Sequence, residues 1–130
     1  MYPTSGIYAA ILKSCGIYQD TDKLEKYLQK FGGDKASLSV RTAYISALMR
    51  CKQLEKAARY TKKLIGNDQV TLGTLHAFCK DFKKEFPKHP MRARYEYIVE
   101  YTPENVFKSG FATKIQSDMF HGLLNTLIGV

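Results

Sequence analysis

Cys15, Cys51 and Cys79 are the strongest nucleophiles of this 130-residue chain, and His76, His89 and His121 are its imidazoles. A cysteine becomes catalytic when a histidine or similar base lies within hydrogen-bond reach of its thiol. Zinc asks for ligands spaced as in CxxC or HxxxH, and neither spacing occurs. GxGxxG, the Walker loop, the GxSxG elbow and the zinc-protease motif are likewise missing. Three cysteines at wide spacing fit reduced, buried thiols rather than a disulfide framework. The residues therefore predict a non-enzymatic protein with no metal and no cofactor.

The abundant chemistry is cationic. Twenty Lys/Arg stand against twelve Asp/Glu, a formal net charge of +8. Residues 1–49 carry six basic and four acidic side chains, residues 50–94 twelve and four, and residues 95–130 two and four. The excess is a central block, and such a block concentrates anionic partners, of which RNA is a common one. Lys83, Lys84 and Lys88 lie in or beside the proline-bounded stretch Pro87–Pro90 and are candidates for exposed phosphate contacts. Plain solvated lysines are the other reading of the same residues.

Helices must position these groups. The chain is 45% hydrophobic with nine tyrosines and seven phenylalanines, enough for one domain with its own core and too apolar for disorder. No apolar run reaches the ~18 residues of a membrane helix, so no membrane insertion is expected. Met1-Tyr2-Pro3-Thr4 has neither the basic nor the apolar region of a signal peptide, and arginine is absent before Arg41. Either the chain is mature or an addressing segment lies outside it.

Ile7, Tyr8, Ile11, Leu12 and Cys15 form one stripe of a helix opened by Thr4 or Ser5. Gln19–Asp22 supplies caps for a second helix bearing Leu24, Tyr27, Leu28 and Phe31, which Gly32-Gly33 stops. Val40, Ala43, Tyr44, Ala47, Leu48 and Cys51 mark a third, capped by Ser37 or Ser39. After a break at Lys52-Gln53, a fourth carries Leu54, Ala57, Ala58, Thr61, Leu64 and Ile65 and ends at Gly66-Asn67. Asp68 starts a fifth with Leu72, Leu75, His76, Cys79 and Phe82, beyond which two prolines should break the pattern. A sixth runs from Met91 to about Glu100. Thr102-Pro103-Glu104 opens a final segment, divided at Gly110 or Gly122. No strand is read.

Paired helices invite a search for a period. Tyr8–Cys15 lies over Tyr44–Cys51 at a shift of 36 and Leu72–Cys79 follows at 28, so the three cysteines share one place near the end of a first helix. Leu24–Leu28 lies over Leu54–Ala58 at a shift of 30, which puts an insertion around Ile17–Asp22. Tyr44-Ile45-Ser46-Ala47-Leu48-Met49-Arg50-Cys51-Lys52-Gln53-Leu54-Glu55-Lys56-Ala57 resembles the pentatricopeptide repeat. Leu72–Lys80 is similar to the first half of that motif and Tyr8–Phe31 resembles it more loosely, so the resemblance spans roughly residues 6–100.

The resemblance implies organellar RNA binding, mitochondrial for instance, with the first helix of each hairpin facing RNA. The family's lysine after the cysteine is present as Lys52 and Lys80, and Gly16 replaces it in the first repeat. The family's base-reading place falls on Ala9, Ile45 and Gly73 counted from the aromatic, or on Tyr8, Tyr44 and Leu72 counted from the cysteine. Neither register supplies the usual asparagine, serine or threonine, so phosphate contact without base reading is implied. Tyr8, Tyr44 and Tyr60 fit core positions better than base-stacking ones.

The expected fold is all-α: an α-solenoid of about three antiparallel helix hairpins over residues 1–100, then a C-terminal helical cap or docking segment over 101–130. The cap covers the open end of the solenoid; the alternative is docking on other protein subunits. The expected function is a non-enzymatic RNA-binding or ribonucleoprotein subunit. It contacts single-stranded or structured RNA through Arg50, Lys52, Lys80, Lys83, Lys84 and Lys88. The alternative is a tetratricopeptide-like scaffold for protein–protein interaction, favoured if the groove is apolar and neutral.

Overall fold

The computed structural model describes residues 5–66, 72–91, 93–94 and 114–129, apart from the side chains of Ser5, Asp34, Leu72 and Ile115. The fold is all-α. Its helices are α1 (Ser5–Ile17), α2 (Thr21–Lys30), α3 (Leu38–Arg50), α4 (Leu54–Ile65), α5 (Leu72–Glu85) and α6 (Lys114–Ile128), with a 3-10 turn at Gly33–Lys35 and no strand among the described residues. The chain forms two compact units, Met1–Gln53 and Leu54–Val130.

In the first unit the helix ends follow local chemistry. Asp20 caps α2 by accepting from the Lys23 N–H at 3.1 Å, and Ser37 caps α3 through the Val40 N–H. After α2 the backbone turns left-handed at Gly32 (φ +119°) and Gly33 (φ +56°), a conformation glycine adopts without a Cβ penalty. Tyr8 near the start of α1 stacks on Phe31 just past α2, centroids 4.0 Å apart, so α1 and α2 run antiparallel. α1 and α3 run parallel: Gly16 sits against Ala47, and the Gln19 amide donates to the Arg50 carbonyl at 3.3 Å. Leu12, Leu24, Leu28, Val40 and Leu48 fill the space between the three helices, and the Tyr44 hydroxyl donates to the Glu25 carboxylate at 2.6 Å.

In the second unit α4 turns Ala57, Ala58, Thr61 and Ile65 inward. The buried Thr61 hydroxyl is satisfied by donating to the Ala57 carbonyl at 2.8 Å. α5 buries Leu75, Phe78, Cys79 and Phe82, and α6 buries Phe120, Leu123, Leu124 and Ile128. Phe78 meets Phe120 edge to face at 5.6 Å, while the Lys62 ammonium of α4 donates to Asn125 of α6 at 2.6 Å. The apolar stripe of α6 is thus spent inside its own unit.

The helices recur at a different period from the one the residue matches suggest. α1 and α3 are 13 residues each and start 33 apart, α2 and α4 also start 33 apart, and α5 starts 34 after α3. Both first helices end on the same hydrogen-bond pattern. Tyr18, Gln19 and Asp20 donate to Ser14, Gly16 and Cys15; Cys51, Lys52 and Gln53 donate to Ala47, Met49 and Leu48. Gln19 (φ +53°) and Lys52 (φ +62°) are the matching left-handed residues. There is therefore no insertion at Ile17–Asp22, and the cysteines do not share a place: Cys15 matches Leu48, Cys51 matches Tyr18, and Cys79 lies within α5. A few coincident residue types fix register less firmly than the stops at which a helix must leave its path.

Three smaller differences follow from packing. α5 continues past Phe82 to Glu85, because the lysines there are good helix formers and the stop comes at Pro87. Phe78, absent from the expected stripe, is buried, while His76 is partly buried as its place on the stripe implies. Gly122 lies inside a continuous α6, where the Thr126 hydroxyl donates to its carbonyl at 2.9 Å. The cap at Thr4, the start at Asp68, the helix expected beyond Arg94, the opening at Thr102-Pro103-Glu104, a break at Gly110 and the boundary at residue 100 lie outside the described residues.

Candidate nucleic-acid interface

Lys80, Lys83 and Lys84 stand at i, i+3 and i+4 of α5 and so share one face. All three are exposed, opposite the buried Leu75, Phe78, Cys79 and Phe82. The exposed Lys88 follows in the Pro87–Pro90 turn. That turn is held against the helix it leaves: Phe82 stacks on Phe86 at 5.7 Å and meets His89 edge to face at 5.1 Å. The His89 N–H donates to the Phe86 carbonyl at 3.2 Å, and the Met91 N–H donates to His89 Nδ1 at 3.1 Å. Four ammonium groups within nine residues are mounted on a packed helix and a fixed turn.

Arg50 and Lys52 belong to the first unit. Arg50 closes α3, half-buried, with its carbonyl taken by Gln19; Lys52 is exposed on the left-handed turn that follows. The sequence-predicted set is therefore two groups: Lys80, Lys83, Lys84 and Lys88 together, and Arg50 with Lys52.

Beyond the sequence-predicted set, α4 carries Lys56, Arg59 and Lys63, exposed at i, i+3 and i+7. They sit inside the basic block, and their spacing on one face was legible there. On α4 Arg59 pairs with Glu55 at 2.8 Å and Lys62 with Asn125 at 2.6 Å. A pair between exposed side chains such as Arg59 and Glu55 is weak, so Arg59 stays available to a phosphate at little cost.

The positions that the resemblance implies as base readers hold no Asn, Ser or Thr. Tyr44 and Ile45 are buried at 2% and 5% exposure, and Gly73 has no side chain. Tyr8 is engaged with Phe31. The thiols are held away from the thiolate form that nucleophilic chemistry needs. Burial pushes the Cys79 thiol far above its ordinary 9.0. Burial, then the Asp20 carboxylate, raises Cys15, and burial raises Cys51 against the partial offset of a Thr21 hydrogen bond. Among the described residues no group of three His, Cys, Asp or Glu side chains could hold a metal, and no helix is long and apolar enough to cross a membrane.

What the arrangement offers chemically is a row of compact, strongly hydrated cations on a rigid mount. Ammonium groups act on phosphates as point charges without the bidentate geometry that discriminates among ligands. No family model, curated protein or solved structure matches the chain.

Proposed function

We propose that this protein is a non-enzymatic RNA-binding subunit, of the kind found in organellar ribonucleoproteins, that grips RNA by its phosphates. The observation that carries the proposal is the exposed face of Lys80, Lys83 and Lys84 on α5, extended by Lys88 in its fixed turn. The exposed Lys56, Arg59 and Lys63 of α4 enlarge the basic surface of the second unit, while Arg50 and Lys52 supply charge in the first. With Ile45 buried and Gly73 bare, those places offer no hydrogen bond to a base edge, so affinity comes from charge. The organellar and mitochondrial assignment rests on the pentatricopeptide resemblance.

A selection from a random RNA pool tests the mode of binding. The expected outcome is retention of many sequences with no enriched motif, since a bidentate base contact discriminates by about 1–3 kcal/mol and none is available from Ala9, Ile45 or Gly73. A sharp motif of several bases would overturn it. The scaffold alternative draws on a different observation, the apolar side chains exposed on α1. Folded protein that retains no RNA at low salt would favour it.

A further inference from the structure

We infer that Tyr18 is a stacking platform for an unpaired base of single-stranded RNA. The inference rests on the RNA-binding reading above and adds to it a contact that charge does not supply. Of the aromatic rings among the described residues Tyr18 alone is exposed, at 82%. The rest are buried or half-buried: Tyr8 and Tyr27 both stack on Phe31, and Phe78 meets Phe120.

The ring is carried on a fixed turn. The Tyr18 N–H donates to the Ser14 carbonyl at 3.0 Å, and Gln19 then takes the left-handed backbone at φ +53°. Two hydrogen bonds tie this turn to the one that ends α3. The Gln19 amide donates to the Arg50 carbonyl at 3.3 Å, and the Thr21 side chain hydrogen-bonds the Cys51 thiol. Such a turn does not itself require an aromatic. At the structural period of 33 the place of Tyr18 is filled by Cys51, and the backbone hydrogen bonds are the same.

The same ties bring cations beside the ring. Arg50 and the exposed Lys52 belong to the neighbouring turn, and Lys23 is exposed in the first turn of α2. Two acids share this edge, Asp20 and Asp22, and both stand at the N-terminus of α2, whose positive end offsets them. An exposed ring flanked by cations fits single-stranded nucleic acid: the ring takes the face of an unpaired base and the cations take the adjoining phosphates. A duplex stacks its base faces on one another and leaves the ring little to hold. Every base has a π-face, so such a contact is tolerant of sequence.

The chain has no tryptophan, so Tyr18→Trp puts a single fluorophore at the contact. Titration with a short oligoadenylate should quench its emission, and the same strand annealed to oligouridylate should not. In filter binding, Tyr18→Ala should weaken retention of the single strand about tenfold, by the same factor at every salt concentration. The slope of log affinity on log salt stays unchanged, because stacking releases no counterion. Tyr18→Phe should keep wild-type affinity, and both variants the wild-type melting temperature, since the side chain is exposed. Wild-type affinity in Tyr18→Ala would overturn the inference, as would an unquenched Tyr18→Trp or equal quenching by the duplex. With RNA still retained, each of these results removes the stacking contact and leaves the phosphate reading standing. No retention of RNA by the folded wild-type protein removes both.

Discussion

At Gly16 one hydrogen in place of a methyl group lets α1 close on α3. A Cβ there would stand 2.8 Å from the Ala47 Cα and 3.0 Å from its Cβ, and the nearer atom is backbone that cannot swing aside. Gly16→Ala should destabilise the protein by about 1–3 kcal/mol through overpacking, measured by denaturant unfolding, in spite of alanine's better helix propensity. Cys79 provides a pH test. Its buried thiol keeps its proton to higher pH than the ordinary 9.0, whereas in the unfolded chain it ionises near 8.5. The folded state then binds the extra proton, so the stability from this group is complete below about pH 8.5 and falls as pH rises above it. Cys79→Ala, though less stable at neutral pH, should show a flatter alkaline limb, by up to about 1.4 kcal/mol per pH unit; an unchanged slope would contradict the burial argument.

Among the elements, α6 is held to its unit by a buried apolar stripe. Phe120, Leu123 and Leu124 are fully buried, and Phe120 meets Phe78 of α5. Phe120→Ala should cost about 3–5 kcal/mol by thermal or denaturant unfolding. If it cost under about 1 kcal/mol, α6 would be a dispensable tail. The period-3.6 stripes made the helices legible, and Asp20, Ser37, Gly32-Gly33 and Gly66 marked their ends in the sequence as they do in the structure. The true repeat was not legible, because Tyr8/Tyr44 and Cys15/Cys51 coincide by type at 36 while the helix starts and the left-handed Gln19 and Lys52 repeat at 33. Nor could the sequence show that Lys62 is tied to Asn125, since the two stand 63 residues apart and only packing of α4 on α6 brings them together. The basic candidates were legible as a block; which of them share a face was settled by α5 running on to Glu85.

For the whole molecule the net charge of +8 is concentrated in residues 50–94, and the proposed RNA contact is placed there. Each phosphate neutralised by a lysine releases bound counterion, so the logarithm of RNA affinity should fall with the logarithm of salt by about 0.7 per contact for single strands. The most direct measurement is that slope, by filter binding to a single-stranded RNA, for the wild-type chain and for Lys80→Ala/Lys83→Ala/Lys84→Ala/Lys88→Ala, with circular dichroism showing both folded. The four exposed lysines predict a slope flatter by up to about 2.8 in the variant, alike for every RNA sequence. An identical slope in wild type and variant, or no retention of RNA by the folded wild-type protein at low salt, would contradict the account.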